Sequence, residues 1–371
     1  MKIKLLFLLT TILLLNGCYI GKGQTIEQKL QNVLDNEISK YNTRGVSASV
    51  VFPDGSIWSG TSGISHDTVT VKPDMLFAIG SVTKNFVAVL TLKLVEENIL
   101  SLEDPLSLWL PDYPYIDNKI TIRQLLNHTS GIYMFWDNQE LWDELIKDRT
   151  RVWIPEEVLA YIKEPYFAPG EGWRYSNTNY LLMAMIIEKA TSSTLLTELR
   201  KRLWEPAGIE NMYLSQEELI PDNMVHIYGD NFVFGNEESD LTYEPRASHE
   251  SITFGSSGIF TTAESLALWT DLLFKGKLLQ KKSMEEMLQF VKFPPVSNMR
   301  AYGLGVEQYN IMFSFGKNAI GHGGGNIGST TYMVYLPDYQ TSIAVMINAY
   351  PDKSIDVITR WIINLVAKEY K

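Results

Sequence analysis

The chain has a single cysteine, Cys18, in 371 residues. One thiol excludes an intrachain disulfide framework and any cysteine-rich zinc or iron–sulfur site. Basic charge is also scarce: 32 Lys+Arg stand against 43 Asp+Glu, a formal net charge of −11. No block of Lys or Arg forms the basic stripe of a nucleic-acid binder, so no nucleic-acid partner is expected. Gly-x-Ser-x-Gly is missing, so an α/β-hydrolase is not supported. His-Glu-x-x-His is missing too, so a zinc hydrolase is not supported, and no metal or cofactor is expected. What remains is a globular balance, 45% apolar and 20% charged residues, in a length that fits one large or two modest domains.

Residues 1–18 read MKIKLLFLLTTILLLNGC. Lys2 and Lys4 are their only charges, and an apolar run from Leu5 to Leu15 follows, broken only by Thr10 and Thr11. Eleven helical residues rise roughly 16 Å, about half the hydrocarbon core of a bilayer, which fits a signal peptide better than a membrane span. The segment Leu15-Asn16-Gly17-Cys18 resembles the bacterial lipoprotein lipobox. That resemblance implies cleavage after residue 17, lipidation of Cys18 and a tether over 18–25. The expected location is the bacterial cell envelope: export across the inner membrane, then a lipid anchor.

The mature chain divides by pattern. Ile26 to Tyr41 has helical apolar spacing, and Val46–Val51 and Ser56–Thr61 read as a hairpin around Phe52-Pro53-Asp54-Gly55. Near the other end, Tyr302–Gln308, Thr331–Leu336 and Ser342–Asn348 read as strands, and Ile355–Lys368 as a closing helix. Between them Phe86–Glu97, Ile122–Asn127, Pro155–Ile162, Asn179–Ala190 and Leu195–Trp204 have helical patterning. Residues 230–250, rich in Asn, Glu, Asp and Ser, read as a long surface loop. Strands at both ends with helices between predict an α+β fold, an antiparallel sheet flanked by helices with an inserted, mainly helical region. The α/β part is expected over 26–80 and 250–371, and the helical part over 81–249.

Three separated motifs carry chemistry. In Ser81-Val82-Thr83-Lys84, positions i and i+3 share a helix face, so a desolvated lysine amine can serve as base to a serine nucleophile. A second Ser-x-x-Lys, Ser314 to Lys317, contains Gly316 and has no helical reason to converge. Tyr175-Ser176-Asn177 is the only Tyr-x-Asn in the chain; its phenol can relay a proton and its amide can hold a carbonyl. Gly321-His322-Gly323-Gly324-Gly325 lets a backbone approach a ligand and aim N–H groups at an oxyanion. His128, in Leu-Leu-Asn-His-Thr-Ser-Gly, is expected to satisfy backbone groups at a helix end. Trp136, Trp142 and Trp153 are expected in the core of the helical region, and the stretch around them could also shape a pocket.

In this order the motifs resemble the penicillin-recognising serine hydrolases, in the branch of class C β-lactamases, D,D-carboxypeptidases, D-amino-acid peptidases and related esterases. Phe77-Ala78-Ile79-Gly80-Ser81, Phe167-Ala168-Pro169-Gly170 and Gly255-Ser256-Ser257-Gly258 support the likeness, which covers roughly residues 30–365. It implies a β-lactamase/transpeptidase-like fold and a serine hydrolase working without a cofactor through an acyl-enzyme. Ser81 would be acylated, Lys84 and Tyr175 would share proton transfer, and Asn177 would orient substrate. His322, Gly323, Gly324 and Gly325 would line the substrate, with the N–H groups of Ser81 and Gly325 as oxyanion hole. Where class C β-lactamases have Lys-Thr-Gly, this chain has His-Gly-Gly. That departure favours a D,D-peptidase-like or esterase-like enzyme on a small-molecule or peptide substrate, peptidoglycan stem peptides being reachable in the envelope. A dedicated class C-like β-lactamase and a non-catalytic penicillin-binding sensor are the alternatives.

Overall fold

The computed structural model describes residues 23–370 except 232–234, 297, 311 and 351. Residues 1–22, with the expected signal peptide and Cys18, lie outside the described residues. The first helix runs Ile26–Tyr41, as its spacing predicts. Thr25 and Gln28 close its start with a reciprocal capping box, and Asn42 ends it at φ 55°.

Strand Gly45–Val51 pairs antiparallel with Ile57–His66 on one side and with Thr341–Ile347 on the other. The two ends of the chain thus meet in the middle of one sheet. Its nine strands run in the order Val69–Thr70, Ile57–His66, Gly45–Val51, Thr341–Ile347, Ser329–Leu336, Ile320–Asn326, Glu307–Tyr309, Met299–Tyr302, Val291–Val296. Period-two alternation sorts the side chains. Val46, Ala48, Val50, Val345 and Ile347 pack with Leu30, Leu34, Ile358 and Ile362 of the two terminal helices, Ile26–Tyr41 and Ser354–Glu369. Ala344 and Met346 join a second core with Leu266 and Trp269 of helix Ala263–Phe274. With both faces covered, Gly45–Val51 is buried at every position.

The helical region packs around two helices that are apolar on almost all sides, Thr83–Glu96 and Asn177–Thr191. Each starts earlier than its apolar spacing suggests, because its first turn carries polar residues that serve the site. Asn85, fully buried, accepts from Trp269 Nε1 (2.9 Å) and donates to Gly305 O (3.0 Å), tying the first of these helices to the sheet side. Trp136 stacks on Trp142 with ring centroids 4.5 Å apart, and Trp153 is buried, so all three tryptophans pack within the helical region. Among the described residues no helix is long and apolar enough to cross a membrane.

Two expectations are corrected. Tyr302–Gln308 is two strands, Met299–Tyr302 and Glu307–Tyr309, joined by a turn in which Gly305 sits at φ +67°. A Cβ there would lie 2.6 Å from Ala88 Cβ, so the turn can nestle on the buried helix only with glycine. Residues 230–250 are not one loop: Tyr228–Asn231 pairs with Gly235–Asp240, and a short helix spans Ala247–Ile252. A strand pair joined by backbone hydrogen bonds can form without apolar alternation, so its polar composition concealed it.

Candidate active site

Ser81 lies in the 3₁₀ turn Gly80–Val82 that feeds helix Thr83–Glu96. The i, i+3 spacing brings Lys84 Nζ to 3.0 Å from Ser81 Oγ. Lys84 is fully buried, and its Nζ also donates to the carbonyl of Ser256 at 2.8 Å. No carboxylate forms an ion pair with it among the described residues. Burial therefore pushes its ammonium well below the usual lysine range, only partly opposed by the charge of Glu307. A lysine that gives up its proton readily, hydrogen-bonded to a serine hydroxyl, is the arrangement a serine nucleophile needs.

Tyr175 closes the third side. Its ring lies 4.9 Å from Lys84 Nζ, and its hydroxyl is in hydrogen-bond contact with Ser81. Burial holds the phenol well above its ordinary value, so it rests protonated and can pass a proton along. His128 supports it from behind. This buried imidazole packs 4.3 Å from the Tyr175 ring, and its Nδ1 accepts the Ser176 N–H at 3.2 Å. Asn177 opens helix Asn177–Thr191, and its Oδ1 is buried without a partner among the described residues.

The glycine strand Ile320–Asn326 lies directly on the serine turn. A Cβ on Gly324 would stand 2.0 Å from Ile79 O and 3.1 Å from Ser81 N, and one on Gly80 would stand 2.4 Å from Gly325 O. These contacts bring the backbone of Gly325 beside that of Ser81. Gly324→Ala is expected to destabilise the fold by roughly 2–4 kcal/mol, since backbone rather than a movable side chain blocks the methyl. Melting temperature and turnover should fall together; an unchanged melting temperature would contradict this packing.

His322 does not reach the cavity wall. It is fully buried, and its Nδ1 lies 2.6 Å from Gly323 O, an acceptor only, so that nitrogen carries the proton. Nε2 then accepts from Tyr302 O–H at 2.7 Å. Burial lowers its pKa to about 3, with the nearby Lys84 acting in the same direction. The ring is neutral at pH 7 and both nitrogens are occupied by the protein.

These groups open on a cavity of about 1040 Å³, bounded by Ser81, Tyr175 and Gly323–Gly325 on one side and by Met134, Phe167, Trp173 and Phe293 on another. Trp173 and Phe293 stack at 3.6 Å. The one cation among the described lining residues, Arg174, is paired with Asp137 at 2.8 Å. Of the aromatic stretch from Tyr133 to Trp153, the described lining takes Met134 and Asp137 and none of the tryptophans. The second Ser-x-x-Lys does not converge: Ser314 Oγ donates to Lys317 O at 2.6 Å, while Lys317 Nζ lies over the Tyr339 ring. Sequence reasoning missed Ser256, Tyr302 and Glu307. Glu307 lies inside a segment that the sequence reads only as a strand, which carries no signal for a site residue.

A mixed-function face of this kind, on a nine-stranded antiparallel sheet flanked by helices, is the β-lactamase/transpeptidase-like fold. A sequence profile described as Beta-lactamase matches residues 24–368, and the chain belongs to the beta-lactamase family. Penicillin-binding protein 4* of Bacillus subtilis (strain 168) is 28% identical over 296 residues, covering 76% of this chain and 62% of that protein. The chain spans half to three-fifths of the length of the first curated relatives it matches. A D-stereospecific amidohydrolase from Streptomyces sp. superposes with TM-score 0.78 at 28% identity, over 90% of this chain and 97% of that one. A D-amino acid amidase from Ochrobactrum anthropi SV3, solved with L-phenylalanine amide, shares the fold with TM-score 0.83 at 24% identity, over 93% and 99%.

Proposed function

We propose that this chain is a serine hydrolase that cleaves amide or ester bonds through an acyl-enzyme on Ser81. The observation that carries the reading is the buried, unpaired Lys84 amine hydrogen-bonded to the Ser81 hydroxyl. Ser81 Oγ attacks the carbonyl carbon while its proton passes to Lys84 Nζ. The N–H groups of Ser81 and Gly325 hold the developing oxyanion. Tyr175 and Lys84 return the proton to the leaving amine or alcohol, Asn177 orients the substrate, and water then releases the acyl group by the same relay. A neutral, inward-facing His322 and a spent Arg174 leave the described wall without a free cation. This supports a D,D-peptidase-like or esterase-like enzyme without fixed-cation recognition of a substrate carboxylate, rather than a dedicated β-lactamase. Likeness to an amidohydrolase and to a penicillin-binding protein supports the same class of bond.

The test offers residues 19–371 a chromogenic ester, a D-Ala-D-Ala peptide and a chromogenic cephalosporin, with quenched samples mapped by mass. Turnover of ester or peptide with an adduct on Ser81 is expected. Absence of both turnover and adduct with all three would overturn the assignment. A stable cephalosporin adduct without turnover of any substrate would favour the sensor reading.

We also propose that the protein acts in the bacterial cell envelope, tethered by lipid on Cys18. The short apolar leader, its two lysines and Leu-Asn-Gly-Cys support this. Labelled palmitate should be incorporated by the full chain and lost in Cys18→Ser; no incorporation by the full chain would leave no support for the anchor.

A further inference from the structure

The Glu307 carboxyl lines the same cavity as Ser81 although the residue is only 9% exposed. Strand Glu307–Tyr309 pairs Glu307 with Gly321 of the glycine strand. Its Oε2 accepts the Gly323 N–H at 3.1 Å. Its Oε1 lies 3.5 Å from His322 Nδ1, but that nitrogen's proton is committed to Gly323 O at 2.6 Å. No Lys or Arg pairs with this carboxyl among the described residues. A carboxyl held by one neutral donor in a cavity whose lining cation is already spent lacks a counter-ion.

We propose that Glu307 is a specificity residue that receives an ammonium group carried by the acyl part of the substrate, so that acyl donors with a free amine beside the scissile carbonyl are preferred. This rests on the acyl-enzyme reading above. Three observations support it. Gly323 carries no side chain; a Cβ there would stand 3.1 Å from the Tyr332 ring and in ordinary contact, 3.6 Å, with Glu307 Oε2, so glycine leaves the approach to the carboxyl open. The spacing also fits. Gly323 and Gly325 are two residues apart along a strand, roughly 6.6 Å. The Glu307 carboxyl held at the Gly323 N–H is thus about one strand repeat from the Gly325 N–H, the reach of a group one or two bonds from the scissile carbonyl. Finally, burial without a counter-ion raises the Glu307 carboxyl to about 8, with Gly323 N–H and Lys84 only partly opposing it. An arriving ammonium supplies the missing charge as an ionic hydrogen bond.

The experiment compares an α-amino acyl p-nitroanilide with its N-acetylated counterpart, each in D and L form, on wild type and Glu307→Gln. The glutamine keeps an oxygen for the Gly323 N–H but cannot take on the negative charge that would pair with a bound ammonium, so folding, checked by melting temperature, is expected to be preserved. Wild type is expected to favour the free amine in kcat/KM. In E307Q that preference is expected to fall at least tenfold, through KM more than kcat. A wild-type preference for the N-acetyl form, or a ratio unchanged by E307Q, would overturn the proposal, and the wild-type comparison decides even if the variant fails to fold. Failure of the underlying reading looks different: wild type would then also leave the chromogenic ester intact and Ser81 without an adduct.

Discussion

Ser81→Ala is expected to lower kcat/KM for any substrate of this protein by roughly ten-thousand-fold and to abolish the acyl adduct. The loss is large because the methyl side chain cannot form the covalent intermediate, and among the described residues no other serine or threonine hydroxyl is hydrogen-bonded to Lys84 Nζ. The second Ser-x-x-Lys cannot substitute, since Ser314 is fully buried and committed to Lys317 O. Stability should change little, because Lys84 keeps its hydrogen bond to Ser256 O. Steady-state kinetics, intact mass and thermal melting read the three quantities. Turnover within tenfold of wild type with a normal melting temperature would contradict Ser81 as nucleophile.

Lys84→Met should separate activity from stability. Activity is expected to fall by roughly 10²–10⁴-fold, the usual worth of a positioned base. Stability should hold or rise at neutral pH, because methionine fills a similar volume without a buried amine that resists protonation. The pH dependence has a definite sign. Lys84 binds a proton far more weakly folded than unfolded, where its value is about 10.4. The unfolded state therefore binds more protons between the two values, and wild-type stability rises with pH across that window. The lysine's contribution is fully present above the unfolded value and is lost as pH falls through the folded one. Glu307, His128 and His322 face the lysine and feel its charge, so the difference between the two stability curves reads Lys84 together with its coupling to these three groups. The methionine variant should be relatively most stable at low pH, with its advantage vanishing near pH 10. An advantage that grows with pH would mean that Lys84 is charged in the folded protein.

Chain order and spacing alone carried much of this. The terminal helices and the strands Gly45–Val51, Ser329–Leu336 and Thr341–Ile347 follow apolar periodicity because each buries a face or both against a core, and burial writes itself into residue type. Ser81 and Lys84 were legible because one helix turn places them, a purely local geometry. Tyr175 was legible only through motif order. Ser256, Glu307 and the inward role of His322 were not legible, for a different reason in each case. Ser256 acts through its carbonyl, which every residue has. Glu307 depends on the Gly305 turn that reverses the chain and sets its register against Gly321. His322 depends on which face of the strand meets Tyr302, and a one-residue shift in register would have turned it outward.

The sequence by itself determined the Ser81–Lys84 pairing within one helix turn and the antiparallel sheet built from both ends. Tertiary structure alone decided the electrical character of the site. It stripped water from Lys84, neutralised His322, spent Arg174 on Asp137 and left Glu307 without a counter-ion. The physical reason is that hydrogen-bond reach within a turn is a local property of the chain. Desolvation and charge pairing are set by whichever distant residues the fold brings within a few ångströms.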